Sequence, residues 1–246
     1  HIRSRRISMI FQSAMNALDP VYRVGDLLSQ IMRAHGPISK ADSERRIGEL
    51  FSMVGLPPSS IHSYPHELSG GMKQRVVIAM SLLCSPDIVI ADEPVTALDV
   101  VVQDQILEEM EELQKRFNLS MILISHDISV VSETCSNIAV MYAGKIVESA
   151  TTRLIFDAPR HPYTVALFGS VPAMKGRRRR LSSLPGSPPD LSQPATGCAF
   201  QPRCPIADDL CRNSPPAASI DNHVSYCHFA DSDRILRLRE KYSAND

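Results

Sequence analysis

The sequence has almost no net charge, no apolar run of membrane length and no internal repeat, and each absence excludes something. Lys and Arg number 26 against 27 Asp and Glu, a formal net charge of −1. Bulk charge therefore gives no reason to expect nucleic-acid binding. The best apolar run, Val76 to Cys84, covers nine positions and includes Ser81, well short of the ~18 residues of a membrane span. The opening residues, His1-Ile2-Arg3-Ser4-Arg5-Arg6, hold no apolar stretch of signal-peptide length. They read as a start in mid-domain. What is there is ordinary for a globular chain: 43% hydrophobic and 22% charged residues among 246. That excludes a collagen-like, low-complexity or wholly disordered polypeptide. At about 150 residues per domain, the length suggests one to two domains with a real core.

Composition divides the chain near residue 150. Residues 151–246 carry 11 of the 18 prolines and four of the 11 glycines, which predicts an appendage with little regular structure. Residues 1–150 read as one α/β unit. Ile7 to Phe11 predicts a short strand. Residues 13–66 predict broken helix, with Leu27, Leu28, Ile31 and Met32 on one face and Ile47, Leu50, Phe51 and Val54 on another. Met72 to Cys84 predicts a buried helix stopped by Pro86. Ile88 to Ala91 and Met121 to Ile124 are apolar strands. Between them, Val100 to Phe117 places Ile106, Met110, Leu113 and Phe117 on one helical face. Ile138 to Tyr142 and Lys145 to Glu148 predict a hairpin around Ala143-Gly144. Apolar strands alternating with helices argue for a largely parallel, covered sheet.

In such sheets, ligands sit beyond the carboxyl ends of the strands. Asp92-Glu93 and Ser125-His126 both fall at that edge. A strand ending in two acids can deliver one carboxylate toward a Mg²⁺ ion and aim the other at water; a surface turn after a core strand has the same pattern. Leu68-Ser69-Gly70-Gly71 opens a helix, where backbone N–H groups and the helix dipole favour an anion; a plain helix cap also fits. His126 can donate to a phosphate oxygen, and Gln12 can hold a metal or water through its amide, although each alone is ordinary polar surface.

Together these segments resemble the nucleotide-binding subunit of an ABC transporter. Leu68-Ser69-Gly70-Gly71-Met72-Lys73-Gln74-Arg75 resembles the signature motif and Ile88 to Glu93 resembles Walker B with its following glutamate. Ala97-Leu98-Asp99 resembles the D-loop, Ser125-His126 the H-loop and Phe11-Gln12 the Q-loop. The oligopeptide/dipeptide importer subfamily is suggested by Ile10-Phe11-Gln12 with Met15 and Leu18-Asp19-Pro20, and by Met72 in place of the usual glutamine. The segments Met141 to Glu148, Arg160-His161-Pro162-Tyr163-Thr164, Gly197-Cys198-Ala199-Phe200 and Arg203-Cys204 are similar to it as well. The resemblance implies an α/β fold: a P-loop NTPase-like ABC ATPase core, incomplete at its N-terminus, with a helical subdomain over 13–66 and a Pro/Cys-rich C-terminal extension over 151–246. It implies ATP and Mg²⁺ as ligands, with Asp92 supporting the metal, Glu93 as general base or water-orienting group, His126 on the γ-phosphate and Gln12 sensing metal and phosphate. Ser69, Gly70, Gly71 and Asp99 would face ATP held by a second ATPase subunit. Further implied partners are two membrane permeases and an extracytoplasmic solute-binding protein. The place would be the cytoplasmic face of the plasma membrane.

One part of that pattern is missing. A phosphate cradle of the form G-x4-G-K-S/T is not in the sequence, and the sole Gly-Lys, Gly144-Lys145, is followed by Ile146. Two expectations follow: a C-terminal portion of a longer polypeptide, or a non-catalytic chain that lends only its signature half-site to a partner. Six cysteines are present: Cys84 and Cys135 read as core thiols, while Cys198-x5-Cys204-x6-Cys211-x15-Cys227 crowd the tail. Four thiolates can hold zinc, although tight C-x2-C pairs are absent, or a four-iron four-sulfur cluster. The resemblance favours the cluster. His223 and His228 read as solvated loop histidines, and Arg177 to Arg180 as a solvated basic run with membrane contact as an alternative.

Overall fold

The computed structural model describes residues 2–12, 17–96, 98–169, 186–192 and 196–243, in two compact units, 1–127 and 128–246. The basic run Arg177 to Arg180, Met15 of the subfamily pattern and Ala97 of the D-loop pattern lie outside the described residues.

In the first unit, strand β1 (Ile7–Ile10) leads to helices α1 (Val24–His35) and α2 (Lys40–Met53). Two short 3-10 turns precede α3 (Gly70–Leu82), β2 (Ile88–Asp92), α4 (Val100–Phe117) and β3 (Ser120–Ile124). The three strands form a parallel sheet in the order β1-β2-β3, with Ile10 beside Ala91 and Asp92 beside Ile124. Alternation along the strands turns Ile10, Val89 and Ala91 into the core with Val76, Val77 and Ile78 of α3 and Ile106, Met110 and Leu113 of α4. Phe51, Leu50 and Ile47 of α2 are fully buried in the same cluster. The expected face of α1 holds too: Leu28 is buried, and Leu27, Ile31 and Met32 pack against the core. The sheet is parallel as expected but covered on one face. Ile122 and Ile124 are 52% and 47% exposed on the other, alongside Ile7.

Helix ends follow local chemistry. Asp99 caps α4, its side chain accepting from Val102 N–H, and Asn118 closes it in the left-handed conformation at φ 49°. Ser39 caps α2 in the same way through Asp42 N–H.

The second unit holds the hairpin expected around Ala143-Gly144, and beyond it departs from the expectation of little regular structure. It contains α5 (Ile128–Thr134), β4 (Asn137–Tyr142), β5 (Lys145–Thr151), α6 (Thr152–Asp157) and α7 (Pro162–Gly169). Two further strands, β6 (Ala217–Ile220) and β7 (His223–Tyr226), and helix α8 (Asp233–Ser243) follow. The strands form an antiparallel sheet in the order β4-β5-β7-β6. The β4–β5 turn puts Ala143 and Gly144 both at positive φ, the conformation a right-twisted two-residue hairpin requires. Asp221 and Asn222 do the same between β6 and β7. The core is aromatic. Tyr142 of the hairpin meets Tyr163 at 4.7 Å and Phe200 at 5.2 Å, and Tyr163 meets Phe200 at 5.4 Å. The Arg-His-Pro-Tyr and Gly-Cys-Ala-Phe segments are thus two walls of one core.

Gly25, in the first turn of α1, sits against a 3-10 turn. A Cβ there would lie 2.4 Å from Ile61 Cγ2 and 2.8 Å from the Ile61 carbonyl oxygen. Gly25→Ala gains up to about 1 kcal/mol of helix propensity, but the backbone clash costs about 1–3 kcal/mol. A net loss of stability is expected, read as a lower urea midpoint at unchanged slope.

Candidate active site

Parallel pairing carries the ends of β1, β2 and β3 to one edge, and the residues just beyond them form a polar cluster. Glu93 follows β2 directly. Its N–H donates to Ile124 O at 2.9 Å, continuing the ladder, and its backbone turns to φ 47°. A non-glycine residue in that region is held there by its surroundings. Three segments hold its carboxylate. Gln12 Nε2, beyond β1, donates to Oε2 at 2.7 Å; Thr96 Oγ1 donates to Oε2 at 3.0 Å; His126 Nδ1, beyond β3, meets Oε1 at 2.9 Å. The hydrogen bond from His126, then that from Thr96, holds the Glu93 carboxyl below the usual carboxylate range. A ring nitrogen this close to a carboxylate carries the proton, so His126 Nδ1 is the donor and Nε2 is left for a ligand. Asp92 stands half-buried at the end of β2. Gln12, Asp92, Glu93 and His126 were all expected at this edge; Thr96 was not, because only the turn after Glu93 brings it there.

The remaining expected residues gather at the N-termini of two helices. Ser69 caps α3, its hydroxyl accepting from Met72 N–H at 3.3 Å, and Gly70 and Gly71 form the first turn. Asp99 caps α4, accepting from Val102 N–H at 3.0 Å. These ends are close: a Cβ on Gly71 would lie 2.9 Å from Val102 Cγ1. Further along, Arg75 of α3 grips Glu109 of α4 in a two-pronged ion pair, Nε–Oε2 at 3.0 Å and Nη2–Oε1 at 2.6 Å. Both side chains are about four-fifths buried, with 18% and 20% exposure, so the pair is less screened than a surface bridge. The signature segment and the start of α4 are thereby held together.

In the second unit, the four tail cysteines are free thiols. Cys211 and Cys227 are buried, and Cys198 N–H donates to Cys211 O at 2.9 Å. Burial, with a smaller contribution from neighbouring thiols, pushes Cys204 up to about 11 and Cys227 up to about 12. Among the described residues, no three His, Cys, Asp or Glu side chains stand as a ready metal-coordinating group. His223 corrects an expectation. It is buried at the start of β7, and its Nε2 meets Glu148 at 2.6 Å. Glu148, fully buried on β5, also accepts the N–H groups of Arg160 and His161, and a buried carboxylate needs such partners. His228 is half-exposed and contacts Asn213 O at 3.2 Å. Cys84 packs on the first core, while Cys135 is half-exposed.

The fold is that of ABC ATPase cassettes. A dimeric bacterial ABC transporter cassette, MJ0796, superposes with a TM-score of 0.54 at 27% identity, covering 62% of this chain and 65% of that one. A second structure, a dimeric post-hydrolysis state of the same cassette bound to ADP and Pi, gives a TM-score of 0.53 at 26% identity, over 61% and 64%. Residues 1–96 match the ABC transporter family, and residues 147–211 match the family described as the oligopeptide/dipeptide transporter C-terminal region. The dipeptide transport ATP-binding protein DppD of Bacillus subtilis is 46% identical over 94% of this chain and 70% of its own length. The oligopeptide transport ATP-binding protein OppD of Salmonella typhimurium is 44% identical over 87% and 65%. The chain belongs to the oligopeptide/dipeptide branch of ABC transporter ATP-binding proteins. It spans about two thirds of the length of these relatives.

Because the folded pKa of Glu93 is depressed, its hydrogen bonds stabilise the site above the ordinary carboxylate pKa and are lost as pH falls through the folded value. His126→Ala removes the largest cause. An upward shift of the Glu93 pKa is expected in a ¹³C carboxyl NMR titration; an unmoved pKa would show that the contact is not held in solution.

Proposed function

We propose that this chain is the ATP-hydrolysing subunit of a peptide-type ABC importer, working at the cytoplasmic face of the plasma membrane. It would pair with a second ATPase subunit, two membrane permeases and, indirectly, an extracytoplasmic binding protein. Its cargo would be di- or oligopeptides or similar solutes. The observation that carries this reading is the Glu93 carboxylate, fixed at the strand edge by Gln12, Thr96 and His126.

In this reading each residue has a defined task. Asp92, Glu93 and the Gln12 amide offer the hard oxygen donors that Mg²⁺ prefers, and the metal brings charge neutralisation for the phosphates. Glu93, like any glutamate near its ordinary pKa, is anionic at neutral pH, and its hydrogen bonds lower that pKa further. It is therefore a weak base, better suited to orienting water than to taking a proton outright. Gln12 Nε2 and His126 Nδ1 are engaged with Glu93, which leaves the Gln12 amide oxygen for a metal or water and His126 Nε2 for the γ-phosphate. The α3 N-terminus, with Ser69, Gly70 and Gly71, and the α4 N-terminus, with Asp99, would face ATP held on the second subunit. One alternative is a subunit that lends only its signature half-site to a partner.

ATP hydrolysis by the assembled transporter separates the two. Under the first reading, Glu93→Gln lowers kcat by ~10²–10³ with little change in KM, the scale for removing one transition-state group. Under the half-site reading, Glu93→Gln leaves the rate unchanged while Ser69→Arg, which blocks the α3 N-terminus, abolishes it. If neither variant changes the rate, both readings fail.

The four tail cysteines are proposed to hold a four-iron four-sulfur cluster. Support comes from four undisulfided thiols in the second unit, Cys198, Cys211 and Cys227 in one small core and Cys204 with Cys198 on the aromatic core, and from backbone N–H donors aimed at sulfur, such as Phe229 N to Cys227 Sγ at 3.4 Å. The raised thiol pKa values mean that ligation must release protons. Anaerobically purified protein is expected to contain iron and acid-labile sulfide, both lost in Cys211→Ser. Zinc without sulfide would replace this assignment, and neither metal would refute a metal site.

A further inference from the structure

The second unit contains an open cavity of about 350 Å³ that no part of the proposed function uses. The end of α6, the β6–β7 turn and one face of α8 enclose it. That volume lies at the small end of ligand sites, about 300–1,000 Å³.

Its lining carries both signs of charge, arranged unevenly. Arg160 is buried and fully committed: Nη1 donates to His223 O at 2.8 Å and Nη2 pairs with Asp231. Arg239 is different. Its Nε donates to Pro159 O at 2.6 Å and its Nη2 to Ala158 O at 3.3 Å, both neutral carbonyls. Among the described residues, no carboxylate contacts the Arg239 guanidinium. Burial and the nearby Arg160 charge both disfavour its positive form, while Glu148 and Asp231 support it from a distance. Asp221, on the β6–β7 turn at φ 47°, lines the same cavity and makes no ion pair among the described residues. Apolar side chains share the lining with these two groups. Ile220 and Leu236 line it and are 54% and 48% exposed.

This pattern selects a ligand. A simple anion would meet the Asp221 and Asp231 carboxylates, and a metal cation would meet two guanidiniums. A ligand carrying one charge of each sign on a short apolar frame satisfies both ends and covers the exposed wall. We propose that this cavity binds a small zwitterion, an amino acid or short peptide, with its carboxylate on Arg239 and its ammonium on Asp221. The proposal is independent of the ATPase reading, because binding is measured directly.

Calorimetric titration of the protein with alanyl-leucine tests it. Saturable binding is expected. N-acetyl-alanyl-leucine and alanyl-leucine amide should each bind at least about tenfold more weakly, the loss of one charge-assisted contact. Arg239→Met should abolish binding, but it also frees two carbonyls and can unfold the unit. Asp221→Asn, on an exposed turn, keeps the test decisive. It should weaken alanyl-leucine about tenfold and leave the N-acetyl form unchanged. No saturable heat from the folded wild-type protein would overturn the proposal. So would equal binding of free and N-acetylated peptide, or an Asp221→Asn variant that binds alanyl-leucine as wild type does.

Discussion

Strand β2 is hydrogen-bonded on both sides, and both neighbours run in its direction. Parallel pairing leaves no freedom about where the strand ends fall: three carboxyl ends must meet at one edge. That constraint brings Gln12, Glu93 and His126 together from positions up to 114 residues apart in sequence, the difference between 126 and 12. The apolar residues Ile88 to Ala91 hold the strand in the sheet, and the ladder bond from Glu93 N–H to Ile124 O fixes where the side chain leaves it. A register slip of one residue would turn Val89 and Ala91 out of the core and carry Glu93 away from both partners. Core packing and site geometry are therefore one specification in this unit.

The second unit is organised around a buried charge instead. Glu148 has no exposure, and its carboxylate is satisfied by two backbone N–H groups ahead of α7 and by His223 of β7. Removing one partner would leave an ion uncompensated in a dry interior, a loss of about 3–5 kcal/mol. His161, also buried, is pushed down to about 4 by desolvation. It is neutral at physiological pH, and its Nδ1 accepts from Tyr163 N–H at 3.1 Å. The Arg-His-Pro-Tyr segment thus has a plain physical account. Its backbone donates to Glu148, its guanidinium reaches Asp231, and its tyrosine enters the aromatic core.

Elements set by local signals were legible in the sequence. Helix α4 runs from Val100 to Phe117 as expected, because Asp99 and Asn118 supply local stop chemistry at both ends. The placement of four candidate site residues at the strand edge was legible because apolar runs mark strands and the polar residues stand just beyond them. Thr96 was not, since its contact depends on the left-handed turn at Glu93. The β6–β7 hairpin was missed because Asp221-Asn222 is a weaker turn signal than Asn-Gly and the flanking strands are four residues each. His223 was misjudged for the same reason. A histidine beside prolines and cysteines looks solvated until β5 places a buried carboxylate next to it. The covered sheet was legible on the face of Val89 and Ala91, while the face carrying Ile122 and Ile124 is left open by the described residues.

The two helix ends near the signature segment show how much of a residue choice the fold alone explains. Ser69 and Asp99 each spend a side-chain oxygen on their own helix, accepting from Met72 and Val102 N–H. A capping role alone would account for both residue types. It does not account for their closeness. Gly71 admits no side chain beside Val102, and Arg75 clasps Glu109 with two hydrogen bonds in a poorly solvated place. That clamp fixes the two helix N-termini against each other, as the proposed function requires if both face one polyanion, because a relative shift of about 1 Å is enough to weaken contacts of that kind.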